Sequence, residues 1–247
     1  MGECYVPDWV VPANVRALQT TRQGGVSTAP WASFNLGDHV GDDPVAVAAN
    51  REALRSCLPA EPFWLTQVHG TVAVDVDRRP KNAEGDAAVA RQSGRICAIM
   101  TADCLPVLFC DRAGSVAGAA HAGWRGLLAG VLESTVAGMA VPPGEVLAWL
   151  GPAIGPQNFE VGEEVRSAFV AHDPQAVHAF APHGSGKWLC DLYRLARQRL
   201  QRIGVEAVSG GGECTFSNSG RYFSYRRDRV TGRMASLIWL ADERLGV

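Results

Sequence analysis

Residues 96–126 read ICAIMTADCLPVLFCDRAGSVAGAAHAGWRG. Three short apolar runs lie in this stretch, Ile96 to Thr101, Leu105 to Cys110 and Ser115 to His121, and all three read as buried strands. The period then changes. Trp124, Leu127, Leu128, Val131, Leu132, Val136 and Met139 recur at helical spacing until Pro142-Pro143-Gly144 stops them. Three strands in succession followed by one helix do not belong to a regular βαβ repeat.

The flanking sequence carries the same irregular alternation. Upstream, Val15 to Thr21 reads as a strand leading into a Gly24-Gly25 turn, and Asp43-Pro44 supplies an N-cap and first-turn proline for a helix through about Leu58. Phe63 to His69 and Thr71 to Asp77 read as further strands, with Gly70 as a turn or bulge between them. Downstream, Leu192, Leu195, Ala196, Leu200 and Ile203 form a helical stripe that Gly204 terminates. Strand patterns recur at Glu145 to Leu150, Val205 to Ser209, Arg221 to Tyr225 and Met234 to Leu240. The expected fold class is α+β, with mixed β-sheets covered by helices. No linker, repeat or low-complexity tract divides the chain, so a single domain over 1–247 is expected.

Composition narrows the class. With 47% hydrophobic and 19% charged residues in 247, the chain can bury a large core. A net charge of -2 gives no reason to expect a nucleic acid or membrane partner. The N-terminus shows neither a basic segment nor an apolar h-region, and the seven cysteines are odd in number with no CxxC spacing. Reduced thiols in the cytoplasm are the expectation.

Chemistry concentrates in Gln67-Val68-His69-Gly70, Thr101-Ala102-Asp103-Cys104-Leu105-Pro106 and His121-Ala122-Gly123-Trp124-Arg125-Gly126. Each places a His or Cys at a strand end, where a rigid scaffold presents side chains into a cleft. Their separations match no local zinc signature, so on spacing alone each is equally a core residue. Two imidazoles and a thiolate are nonetheless a three-ligand set of the kind catalytic zinc uses, with a fourth position open. The helix after His121, together with Arg125, offers N–H groups and a guanidinium to an anion such as phosphate. An ordinary surface arginine is the other reading of Arg125. Arg22 beside the glycine turn and Asn35 are candidate substrate contacts, with solvation and loop capping as their alternatives. Asp103 is a candidate proton donor or a loop support. Residues 226–229 read as a solvated charged turn.

These segments, in this order, resemble the YfiH-like laccase-domain family, also called the multicopper polyphenol oxidase family, whose members are regarded as purine nucleoside phosphorylases. The resemblance spans nearly the whole chain. It includes Thr21-Arg22-Gln23-Gly24-Gly25-Val26-Ser27, Ser33-Phe34-Asn35-Leu36-Gly37, Gly151-Pro152-Ala153-Ile154-Gly155-Pro156, Cys214-Thr215-Phe216, Phe223-Ser224-Tyr225-Arg226-Arg227-Asp228 and Thr231-Gly232-Arg233-Met234-Ala235. The family implies a four-layer α/β/β/α fold and a zinc ion on His69, Cys104 and His121. It also implies phosphorolysis of adenosine, inosine, guanosine and 5'-methylthioadenosine by phosphate, with adenosine deamination beside it. Two other readings use the same residues. One is copper-dependent polyphenol oxidation, although six histidines are too few for a multicopper cluster. The other is a metal-free hydrolase or amidase acting on peptidoglycan precursors, with Cys104 as nucleophile and His121 or His69 as base.

Overall fold

The computed structural model describes residues 2–78, 80–81 and 83–242. Two sheets carry the fold. The first contains β1 (Cys4–Tyr5), β2 (Val15–Thr20), β3 (Pro62–Phe63), β6 (Ile96–Thr101) and β14 (Met234–Leu240), in the order β1-β2-β14-β6-β3. The second contains β4 (Ala73–Asp75), β5 (Ala87–Ala90), β7 (Leu105–Asp111), β8 (Ala117–Ala122), β9 (Val146–Leu150) and β13 (Ala207–Gly210), in the order β13-β9-β7-β8-β5-β4. Pairings are mixed, with β7, β8 and β9 antiparallel and β13 parallel to β9.

Alternation along each strand decides how the sheets stack. Cys97 and Ile99 of β6 pack with Leu108 and Cys110 of β7 and with Ala117 and Ala119 of β8, forming a core between the two sheets. Their neighbours Ile96 and Ala98 face the other way, onto Leu54 of α1 (Pro44–Arg55) and onto Phe34 and Leu36. Val107 and Phe109 turn outward onto α3 (Val131–Met139) and α5 (Leu192–Arg202). Helix, sheet, sheet and helix therefore form four layers. Both faces of each sheet are buried, which is why the 96–122 runs are apolar throughout rather than alternating.

Four sequence expectations change. The single helix from Trp124 is two, α2 (Trp124–Ala129) and α3, because Gly130 adopts φ 105 and breaks it. The strand expected from Phe63 to His69 is reduced to the pairing at Pro62–Phe63 and an isolated bridge from Thr66 to Glu84. Beyond it the Gln67 side chain occupies the edge of β6, donating to the Met100 carbonyl and accepting from the Met100 N–H at 2.9 and 2.8 Å. Arg221 to Tyr225 is not a strand, because the Tyr222 N–H bonds back to Asn218 and the Phe223 N–H meets the Met234 sulfur. Residues 160–190 add elements the periodicity did not reveal. These are β10 (Glu160–Gly162), β11 (Phe180–Pro182) and β12 (Lys187–Cys190) in a small sheet, with α4 (Glu163–His172) beside it. The last helix, α6 (Tyr225–Asp228), is a single turn. Among the described residues no helix is long and apolar enough to cross a membrane.

Candidate metal centre and its cleft

His69, Cys104 and His121 converge although 35 and then 17 residues separate them, as their numbering shows. Antiparallel pairing of β7 with β8 sets Leu105 opposite Ala122 and Pro106 opposite His121, so Cys104 and His121 emerge at one end of the second sheet. His69 reaches the same point from the loop before β4. One nitrogen or sulfur from each residue lies within 4.8 Å of the others, and the Cys104 sulfur is 3.9 Å from His69 Nε2. In a tetrahedral zinc site, sulfur and nitrogen ligands sit about 3.6 Å apart. The donor set and its spacing therefore fit a metal ion after a small contraction.

A residue the sequence reading missed organises this cluster. Asp86 is 0% exposed, and its carboxylate accepts from His121 Nδ1 at 2.8 Å. It also accepts from the backbone N–H groups of Val68, His69 and Gly70 at 3.1, 2.9 and 2.6 Å. Nδ1 of His121 is thereby occupied, leaving Nε2 as the ligand atom, the carboxylate–histidine arrangement common around metals. The same carboxylate restrains His69, whose φ of 62 is unfavourable for a residue with a Cβ. Glu84-Gly85-Asp86 directly before the apolar run Ala87–Ala90 was the available signal, an acid about to enter a buried strand.

Asp103, at φ 89, is held in the same manner by its own side chain. One oxygen accepts from the Thr215 hydroxyl and the other from the Arg226 N–H, both at 2.6 Å. Each oxygen thus accepts one hydrogen bond, and Asp103 fixes the Cys104 loop. Burial pushes the Cys104 thiol up, but the imidazoles of His121 and His69 outweigh it and hold its pKa at about 6. For His121, burial works against the imidazolium. The Cys104 thiolate and Asp86 overcome that and raise it to about 9. Geometry and charge alike favour a thiolate at Cys104, the form in which cysteine binds metals and acts as a nucleophile.

Gly123 makes the close approach possible. A Cβ there would meet the Cys104 sulfur at 2.9 Å and His69 Cδ2 at 3.1 Å. Gly123→Ala is expected to weaken metal binding about tenfold or more by spreading the donor atoms. Competition against a chromophoric chelator measures it, and an unchanged affinity would show that the cluster tolerates the displacement.

The cluster opens onto a cleft of about 520 Å³, with Trp124, Arg125, Phe159, Tyr225, Arg226 and Arg233 among its lining. Arg125 stands in the wall, exposed and stacked over Trp124 at 4.4 Å. Arg22 and Asn35 are not among the cleft's lining residues. Arg22 donates through Nε and Nη2 to the Ala32 carbonyl and through Nη1 to the Ser219 carbonyl, so its donors tie two loops together away from the cleft. Asn35, 0% exposed, donates to Gly37 and Asp42 and accepts from the Gly37 and Arg233 N–H groups. These bonds shape its loop. The turn at 226–229 is likewise not merely solvated. Arg226 lines the cleft, and Arg227 donates to the carbonyls of Thr215, Phe216 and Tyr222.

Known proteins share both the fold and the sequence. The multi-copper polyphenol oxidoreductase laccase family model matches residues 16–241. A protein of Pseudomonas aeruginosa named purine nucleoside phosphorylase is 56% identical, covering 98% of this chain and all of its own length. The Escherichia coli purine nucleoside phosphorylase YfiH is 54% identical over 97% of this chain and all of its own. A crystal structure of a Neisseria meningitidis protein, 53% identical, superposes with a TM-score of 0.94 over 97% of this chain and 99% of that one. The chain belongs to the multi-copper polyphenol oxidoreductase laccase family, as the ordered set of motifs along its sequence had indicated.

Proposed function

We propose that this chain is a zinc-dependent purine nucleoside phosphorylase acting on adenosine, inosine, guanosine and 5'-methylthioadenosine, and that the same cleft deaminates adenosine. One observation carries the reading. A three-donor cluster braced by a buried carboxylate opens into a cleft whose walls combine aromatic faces with guanidinium groups. A purine base suits the aromatic surface of Trp124 and Phe159, and phosphate suits the arginines. The names of the Pseudomonas and Escherichia relatives support it. All seven cysteines are unpaired thiols, which fits a reducing compartment, and a cytoplasmic location is part of the same reading.

Phosphorolysis forms a bond from a phosphate oxygen to C1' of the ribose while the bond from C1' to the base nitrogen breaks. The base leaves with the electron pair and takes a proton. Guanidinium groups hold the phosphate against C1' and offset its charge, so the reaction becomes effectively unimolecular. Trp124 and Phe159 shield the base side of the cleft, favouring phosphate over water at C1'. Zinc held by His69, Cys104 and His121 would supply Lewis acidity and a hydroxide-level nucleophile at neutral pH, as attack at C6 in deamination requires.

Zinc-loaded protein given adenosine and phosphate is expected to yield adenine and ribose 1-phosphate, with inosine from the deaminase branch. Chromatography of the products decides it. No purine nucleoside turnover, together with amide hydrolysis that survives chelation, would replace the reading with a metal-free Cys–His hydrolase. That second reading has one specific observation in its favour. Asp86, His121 and Cys104 stand in the order of a nucleophile triad, with the base oriented by a buried carboxylate. Copper oxidation is less well supported. Among the described residues His69, Cys104 and His121 form one donor group, and a multicopper cluster needs several.

A further inference from the structure

Three arginines line the cleft, and they are not equivalent. Arg125 is exposed and stacked on Trp124. Arg226 spends its Nη1 on the Glu160 carbonyl and lies over Phe159. Arg233 is partly buried, and like the other two it makes no ion pair with a carboxylate among the described residues. Its Nη1 donates to the carbonyls of Thr231 and Gly232, both neutral, and among the described residues Nε and Nη2 have no partner. Burial pulls its pKa down, with Cys104 and Asp103 the nearest negative groups acting against that. Nε and Nη2 of this half-buried guanidinium are thus left free beside the cleft, where an oxyanion can engage both.

The surrounding chain is shaped to hold this side chain. A Cβ on Gly37 would meet Arg233 Cγ at 2.8 Å, so the glycine makes room for the arginine stem. Asn35 accepts from the Arg233 N–H at 2.8 Å, and the Leu36 N–H donates back to the Arg233 carbonyl. A second group points to a ligand at the same end of the cleft. Thr101, paired across the sheet with Met234, is 1% exposed, lines the cleft, and its hydroxyl oxygen is buried without a hydrogen-bond partner. A buried hydroxyl is seldom left so, because each lost hydrogen bond carries a desolvation cost.

We propose that Arg233, with the Thr101 hydroxyl, forms the site that binds the phosphate dianion, at the β6–β14 end of the cleft rather than at the start of α2. The proposal rests on the phosphorylase reading for the identity of its co-substrate, but not for the existence of the anion site. The guanidinium supplies two N–H donors in its fixed fork and Thr101 a third donor, a geometry that suits tetrahedral oxyanions. Asn35 and Gly37 then serve phosphate indirectly, by seating the arginine.

The test uses zinc-loaded full-length protein and inorganic phosphate. Isothermal titration calorimetry is expected to show phosphate affinity falling about ten- to a hundredfold in Arg233→Ala, the loss of hydrogen bonds to a charged group. Thr101→Val should lose about threefold to tenfold, and Arg233→Lys should fall between wild type and Arg233→Ala. In turnover with adenosine, Arg233→Ala should raise the phosphate KM by about the same factor and lower kcat as well, because the guanidinium also positions the phosphate, while the zinc content stays near wild type. If wild type turns over no nucleoside, calorimetry still decides the anion site, and only the phosphorylase reading falls. Should Arg233→Ala not fold, Thr101→Val and Arg233→Lys carry the same comparison. Unchanged phosphate affinity in Arg233→Lys and Thr101→Val, or a loss confined to Arg125→Ala, overturns the proposal.

Discussion

Cys104→Ala is expected to abolish zinc binding and nucleoside phosphorolysis together. Wild-type protein should carry about one zinc per chain, and the variant less than about a tenth of that after dialysis. The thiolate is the anionic member of the donor set. Without it two neutral imidazoles remain, and one of them, His69, sits on a loop with unfavourable φ. Turnover should fall by about a thousandfold or more, because both the metal and the charge next to His121 are gone. Elemental analysis and product chromatography on the same preparation read the two effects. A Cys104→Ala protein with unchanged zinc content would show that the three residues do not form the site. Chelation of wild-type protein separates the competing chemistries. Phosphorolysis lost on chelation and restored by zinc supports the metal reading, whereas activity that persists without metal, yet disappears in Cys104→Ala, belongs to a cysteine nucleophile.

Much of this architecture was legible because burial on both faces leaves a distinct pattern. The runs at 96–101, 105–110 and 115–121 are apolar except at Thr101, Ser115 and His121 near their ends, and in the structure β6, β7 and β8 are buried end to end. Helix caps were equally readable, since Asp43 accepts from the Val45 N–H and Gly204 follows α5 with φ 89. The ligand residues stood out because His and Cys closed such runs. What stayed hidden was everything made by side chains replacing backbone. Gln67 substitutes for a strand beside Met100, and Arg227 collects three carbonyls from distant loops. Neither leaves a period to detect. The hydrogen bonds of Arg22 and Asn35 were hidden for a related reason. A polar residue near glycines has the same local pattern whether it meets a ligand or its own chain, and only the fold shows that their donors are already used.

Asp86→Ala should have the largest effect on stability of any change near the site, and it should reach the metal without touching it. Removing the carboxylate leaves the N–H groups of Val68, His69 and Gly70 and the Nδ1 of His121 without their acceptor. Loss of one partner from a buried charged network costs about 3–5 kcal/mol, and unfolding of metal-free protein by urea should show a decrease of that order. Metal-free protein is the proper comparison, because bound zinc would add its own stabilisation to the folded state. Zinc affinity should fall a further ten- to a hundredfold, about the usual penalty for losing the group that orients a ligating histidine. The two effects can be separated. Asp86→Asn keeps the shape and one acceptor oxygen, but its amide N–H₂ now faces N–H donors. It should therefore recover part of the stability while zinc remains weakly held, since His121 and His69 no longer share one anionic anchor. If Asp86→Asn restores stability and zinc affinity in equal measure, the carboxylate acts only as a structural spacer. If it restores stability alone, the negative charge of Asp86 is part of the metal site.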